Sequence, residues 1–191
     1  SSIDWDDNWQ MHQQVATSFC DINYNVLFID NTGVRMPNFS DTKRILARVI
    51  NWFRSIRGFS ELSNNLTIFS PVIIPFPFSK LATKINSLIL YRSIKNYLTS
   101  KKIKDFILIT FLPTPLILKL IKDLDPSQFF YYCANNMPYG SIGSKKLLDN
   151  EKKMFSLSNG VFSISKNISI KAKKYNKNVF FFPPGVDFNK F

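Results

Sequence analysis

Residues 105–133 read DFILITFLPTPLILKLIKDLDPSQFFYYC, and their pattern decides the fold. Asp105–Thr110 and Gln128–Cys133 are short, nearly continuous runs of β-branched and aromatic residues. That is the composition of strands buried on both faces. Between them, Thr114 followed by Pro115 predicts a helix N-cap with proline at the first helical position. Asp125-Pro126 stops that helix.

The same alternation extends in both directions. Asn25–Asp30 (NVLFID), Leu66–Ser70 (LTIFS), Val161–Ser165 (VFSIS) and Asn178–Phe182 (NVFFF) read as further strands. Helical periods lie near 8–21, 43–57, 79–99, 114–123, 145–156 and 166–174. Alternating β and α elements predict an α/β fold, a Rossmann-like and mostly parallel sheet with helices on both faces. One domain is expected over 1–191. The proline-rich stretch 71–78 (PVIIPFPF) reads as a stiff apolar connection, packed on the sheet or lining a groove.

Composition narrows the function classes. An apolar fraction of 45% supplies a dense core and excludes wholesale disorder. No run of about eighteen residues is apolar and uncharged, so no spanning helix is expected. No basic segment followed by an apolar run opens the sequence, so a secretory leader is not expected. Cys20 and Cys133 are too few for a disulfide framework or a zinc site, and a single histidine excludes a site of several His ligands. A cytoplasmic, reducing setting fits. There is no G-x-G-x-x-G, P-loop or G-x-S-x-G motif.

The net charge of +12 is concentrated. Residues 43–57 carry Lys43, Arg44, Arg48, Arg54 and Arg57 without an acid, and residues 80–104 carry seven cations without an acid. Together these segments hold the whole excess. On a helical wheel at ~100° per residue, Ile45, Leu46, Val49, Ile50, Trp52, Phe53 and Ile56 share one face of 43–57, opposite the cations. Lys43, Arg44, Arg48, Trp52, Phe53 and Arg54 are therefore candidate docking residues for the inner face of an anionic membrane. The same wheel also describes an ordinary surface helix packed on a sheet. The segment 79–99 reads as a core-packed helix with a basic outer stripe. Nucleic acid is not an expected partner, because no recognised binding motif accompanies the charge.

In an open parallel sheet, ligands bind beyond the carboxyl ends of the strands. The segments predicted there are rich in Asn, Ser, Thr, Trp and Tyr, groups that suit polyhydroxylated ligands. His12, beside the first such loop, is the candidate catalytic residue, placed to hydrogen-bond a sugar hydroxyl or a phosphate. Helix N-termini at Asn8 and Thr114 are expected to point N–H groups the same way. Two D-x-D pairs occur. Asp123 and Asp125 read as a solvated helix end, and Asp4 and Asp6 lack further ligands, so no metal is expected.

Pro184-Gly185-Val186-Asp187, with Phe191 four residues later, resembles the P-x-G-V-D-x-x-x-F signature of retaining "group 1" glycosyltransferases of the GT-B fold. The opening SSIDWDDNWQMHQQVA is similar to the loop and first helix after the first strand in a bacterial branch, the teichuronic-acid-biosynthesis-like sugar transferases. VLFIDNTGVRMP (26–37), LTIFSPVIIPFPFSKLATKIN (66–86), TFLPTP (110–115) and VFSISKNI (161–168) fit that branch in order, so the resemblance spans essentially the whole chain.

The resemblance implies the N-terminal, acceptor-binding half of such an enzyme, without its first strand and its C-terminal donor domain. It implies a nucleotide-sugar donor for the full enzyme, no cofactor on this half alone, and a sugar or lipid-linked acceptor. The acceptor-contact candidates are Asp4, Trp5, Asn8, Trp9, Asn31, Thr32, Thr114, Asn135, Asn136, Ser165, Gly185 and Asp187. Gly185 would allow close backbone approach. Asn135 and Asn136 stand where many relatives carry acids, and amides orient hydroxyls without acting as general bases. DWDDNW (4–9) replaces the glycine-rich loop that many members carry. The family reaction implies that this half orients the acceptor rather than moving its proton. The alternative reading is a non-catalytic, basic membrane- or partner-binding α/β module.

Overall fold

The structure, a computed structural model, describes residues 1, 3–30, 32, 58–74, 76, 79–134 and 142–183. In chain order the elements are α1 (Met11–Asp21), β1 (Val26–Ile29), β2 (Phe59–Ser63), β3 (Leu66–Phe69), α2 (Lys80–Ser100), β4 (Ile107–Thr110), α3 (Pro115–Leu124), β5 (Gln128–Cys133), α4 (Ile142–Leu157), β6 (Gly160–Ser163), α5 (Lys166–Ala172) and β7 (Val179–Phe181). The chain divides into two compact units, Ser1–Leu90 and Tyr91–Phe191.

The first unit holds a three-stranded sheet in the order β1-β3-β2. β1 and β3 run parallel with Val26 opposite Leu66 and Ile29 opposite Phe69, and β2 is antiparallel to β3. Ala16 of α1 packs with Phe28, Leu66 and Ile68, and Trp5, Cys20 and Val26 close over them. The β2–β3 hairpin is absent from the sequence reading. FSELS contains little apolar residue to bury, and four of its five residues are exposed, as an edge strand allows. Its turn is the Asn64-Asn65 pair, and Asn65 Nδ2 donates to Cys20 O at 2.7 Å, tying the hairpin to the end of α1. Asn86 of α2 fastens the proline-rich connection. Its Oδ1 accepts from Ile74 N at 2.8 Å and its Nδ2 donates to Ile74 O at 2.9 Å.

The second unit is the α/β arrangement that residues 105–133 predict. Its sheet runs β4-β5-β6-β7, all parallel, with α3, α4 and α5 in the connections. Each connecting helix returns the chain to the start of the next strand, as parallel pairing requires. Thr114 caps α3, its Oγ1 accepting from Ile117 N at 3.3 Å, and Asp125 ends the helix in the left-handed conformation. Alternate residues of β5 face opposite ways. Phe129, Tyr131 and Cys133 enter a core with Met154, Phe155, Val161, Ile168 and Ala172. Phe130 and Tyr132 join an aromatic row with Phe162, whose ring lies 5.7 Å from that of Phe180. Gly160 lets this row close, because a Cβ there would lie 3.1 Å from the Phe130 ring.

Two expectations need correction. β7 is not buried on both faces, and neither is β4 at the other edge, where Ile107 is 42% exposed. Phe180, Phe181 and Phe182 are 51%, 48% and 58% exposed, because β7 is the outer strand of its sheet. The first helix begins at Met11 with Gln10 as its N-cap, not at Asn8. Asp7 Oδ2 accepts from Asp4 N at 3.2 Å, and Asp7 N donates to Asp4 O at 3.2 Å. That local turn competes with helix for the same backbone groups and delays its start. Among the described residues no helix is long and apolar enough to cross a membrane. The segment 43–57 lies outside the described residues.

Candidate functional site

A polar cluster of the first unit lies where β1 and β3 end. Asp30 follows β1, and its N–H donates to Phe69 O at 2.9 Å, extending the ladder by one bond. Its carboxylate is 7% exposed and bridges two segments. Oδ1 accepts from Trp5 N at 2.8 Å, and Oδ2 accepts from Ser70 Oγ at 2.5 Å. One side chain thus fixes the opening loop against the ends of two parallel strands.

The opening loop is held from a second side by Gln13, which is fully buried in α1. Its Nε2 donates to Trp5 O at 3.2 Å, and its Oε1 accepts from Gln10 N at 3.0 Å. Trp5 lies edge-on to Phe28, with ring centroids 4.9 Å apart, and Trp9 lies edge-on to Trp5 at 5.8 Å. Trp5 is thereby anchored in the fold, while Trp9 rests on it with 47% of its surface in solvent.

The Ser1 amine donates to Ile29 O at 2.8 Å. His12 is buried, and its pKa falls to about 4, first through desolvation and then through the charge of the Ser1 amine. At pH 7 the imidazole is therefore neutral. It acts as a hydrogen-bonding group rather than a cation or a base poised near neutrality. Thr32 is 6% exposed, and its hydroxyl has no hydrogen-bond partner among the described residues.

Of the sequence candidates, the structure gathers Asp4, Trp5, Trp9 and His12 around the end of β1, with Asn8 exposed in the same loop, and Thr32 follows Asp30 by two residues. In the second unit Thr114 and Ser165 follow β4 and β6, and both are helix N-caps. Ser165 Oγ accepts from Ile168 N at 3.3 Å. Capping engages each of these two hydroxyl oxygens as an acceptor, and each keeps an O–H to donate. Asn31, Asn135, Asn136, Gly185 and Asp187 lie outside the described residues, as do Lys43, Arg44, Arg48, Trp52, Phe53 and Arg54.

Sequence reasoning missed Asp30, Gln13 and Ser70. Asp30 is visible as the one charged residue closing an apolar strand run, a position where an unpaired carboxylate would be costly. Gln13 and Ser70 carry no such signal. Among the described residues no three His, Cys, Asp or Glu side chains gather as a metal ion would need.

The second unit contains a different buried polar group. Glu151 of α4 is fully buried and ion-paired to Lys171 of α5. Cys133 Sγ, at the end of β5, donates to Glu151 Oε1 at 3.5 Å. Burial and the neighbouring Glu151 carboxylate push the Cys133 thiol up to about 12, so it is not a nucleophile at neutral pH.

Compared with family models and with curated proteins, the chain matches none.

Proposed function

We propose that this chain is the acceptor-holding half of a retaining glycosyltransferase that extends a cell-surface polysaccharide or a lipid-linked sugar. The nucleotide-sugar donor would then be bound by a second domain. The observation that carries the reading is the Trp5–Trp9 pair held at Asp30, two residues before the unpartnered Thr32 hydroxyl. An exposed indole on a rigid base offers the flat apolar face that a pyranose ring stacks on. Two residues beyond Asp30, the buried Thr32 hydroxyl has no hydrogen-bond partner among the described residues and offers a polar contact.

In this reading the residues hold and orient. Asp30 sets the loop, Trp9 stacks on the acceptor, and Thr32 bonds one of its hydroxyls. His12, neutral at pH 7, contributes a hydrogen bond rather than proton removal. Orientation of this kind supplies a large part of a transfer barrier without a titrating group. The test uses the product of the entire reading frame, incubated with a panel of nucleotide-sugars and a membrane lipid extract. Nucleoside diphosphate release that depends on the extract is expected, and Trp9→Ala should raise the acceptor KM while leaving the donor KM unchanged. Absence of release with every donor, or an acceptor KM indifferent to Trp9, would count against the reading.

A further inference from the structure

The outward face of α2 is unusual in what it shows to water. Its inward face is conventional: Ala82, Asn86, Leu90, Ile94 and Leu98 are all buried. Opposite them, Leu81 is 68% exposed, Leu88 47%, Ile89 39% and Ile85 37%. At ~100° per residue, Leu81, Ile85, Leu88, Arg92 and Lys95 fall within an arc of about 80°. Large aliphatic side chains therefore share their stripe with cations, and Lys84 lies along one edge of it.

The charge here is one-sided. No acid occurs between Lys80 and Lys104. Among the described residues Lys80, Lys84, Arg92 and Lys95 form no ion pair. A helix of this length extends roughly 30 Å, so the stripe is an extended surface rather than a point.

We infer that the outward face of α2 docks on an anionic lipid membrane. The cations match the sign of such a surface, and their long stems let the ammonium groups reach phosphates while the helix lies flat. The four aliphatic side chains would enter the acyl boundary, as in helices that lie in an interface. Nucleic acid fits less well. Its single strands are held by exposed aromatic rings between cations, whereas this stripe is aliphatic and both Tyr91 and Tyr97 are half-buried. This inference rests on α2 alone and stands apart from any sugar chemistry.

The test is co-sedimentation of the chain with vesicles of phosphatidylglycerol and phosphatidylcholine in equal parts, against phosphatidylcholine alone. Binding is expected only with the anionic lipid, and it should weaken as salt is raised. Leu81→Ser with Leu88→Ser should lower the partition constant about tenfold at an unchanged melting temperature, because both side chains are exposed. Lys84→Glu with Arg92→Glu should abolish binding. Failure of the wild-type chain to bind, or undiminished binding by either double variant, overturns the inference. So does a chain that pairs with a second copy through Leu81 and Leu88 and leaves the vesicles, or one whose attachment a short oligonucleotide displaces with the leucine variant behaving as wild type.

Discussion

Ser70 Oγ donates to Asp30 Oδ2 at 2.5 Å, joining the ends of two parallel strands through their first residues beyond the sheet. Both oxygens of that carboxylate are occupied, because Trp5 N–H holds the other. Asp30→Ala would strand a partly buried N–H and a partly buried hydroxyl, and should destabilise the fold by about 2 kcal/mol. Asp30→Asn keeps one acceptor and should lose less. Urea denaturation of the two variants checks the order.

His12 makes stability depend on pH. Its pKa is about 4 in the folded chain and 6.5 for the unperturbed group, so the unfolded chain binds the proton more tightly. Its contribution is complete above about pH 6.5 and is lost as pH falls through 4. The linkage is worth up to about 3 kcal/mol. Chemical denaturation at pH 7.5 and pH 5 should show a smaller difference in His12→Gln than in the wild type. An equal difference would mean that His12 is not the titrating group.

The buried Glu151–Lys171 pair predicts strong non-additivity. Lys171→Met leaves a fully buried carboxylate without its partner, and should cost about 3–5 kcal/mol. Adding Glu151→Leu to that variant removes the stranded charge and should recover most of the loss. Thermal melts of the two single variants and the double variant measure the coupling directly.

Thiol labelling separates the two cysteines. Cys20 is only partly buried, whereas Cys133 is 2% exposed with its pKa near 12. Iodoacetamide at pH 8 should label Cys20 in the folded chain and reach Cys133 only after denaturation. Mass spectrometry of the peptides gives the answer. Prompt labelling of Cys133 would show that its surroundings open readily.

The legible part of the fold was carried by hydrophobic runs. VLFI, LTIF, ILIT, QFFYYC and VFS all became strands at their predicted places, because continuous apolar runs of that length have few other uses. Thr114-Pro115 and Asp125-Pro126 bounded α3 because both act through local backbone geometry. FSELS was illegible for the converse reason. It pairs with β3 through its backbone, and its side chains record little of that pairing. The start of α1 moved because the side chain of Asp7 bonds Asp4, a choice between two local solutions that residue types alone leave open. At the site, Trp5, Trp9, His12 and Thr32 were readable as types that suit a ligand. Asp30 stood out only as a charge closing an apolar run, since its role comes from meeting Trp5 and Ser70, which lie 25 and 40 residues away.

The central claim is that Trp9 and Thr32 hold a sugar acceptor. It is tested most directly by steady-state kinetics of the entire gene product, with the acceptor and the nucleotide-sugar varied separately. Trp9→Ala and Thr32→Val should each raise the acceptor KM about tenfold, with the donor KM and the fold intact. Identical acceptor and donor constants in wild type and both variants would contradict it.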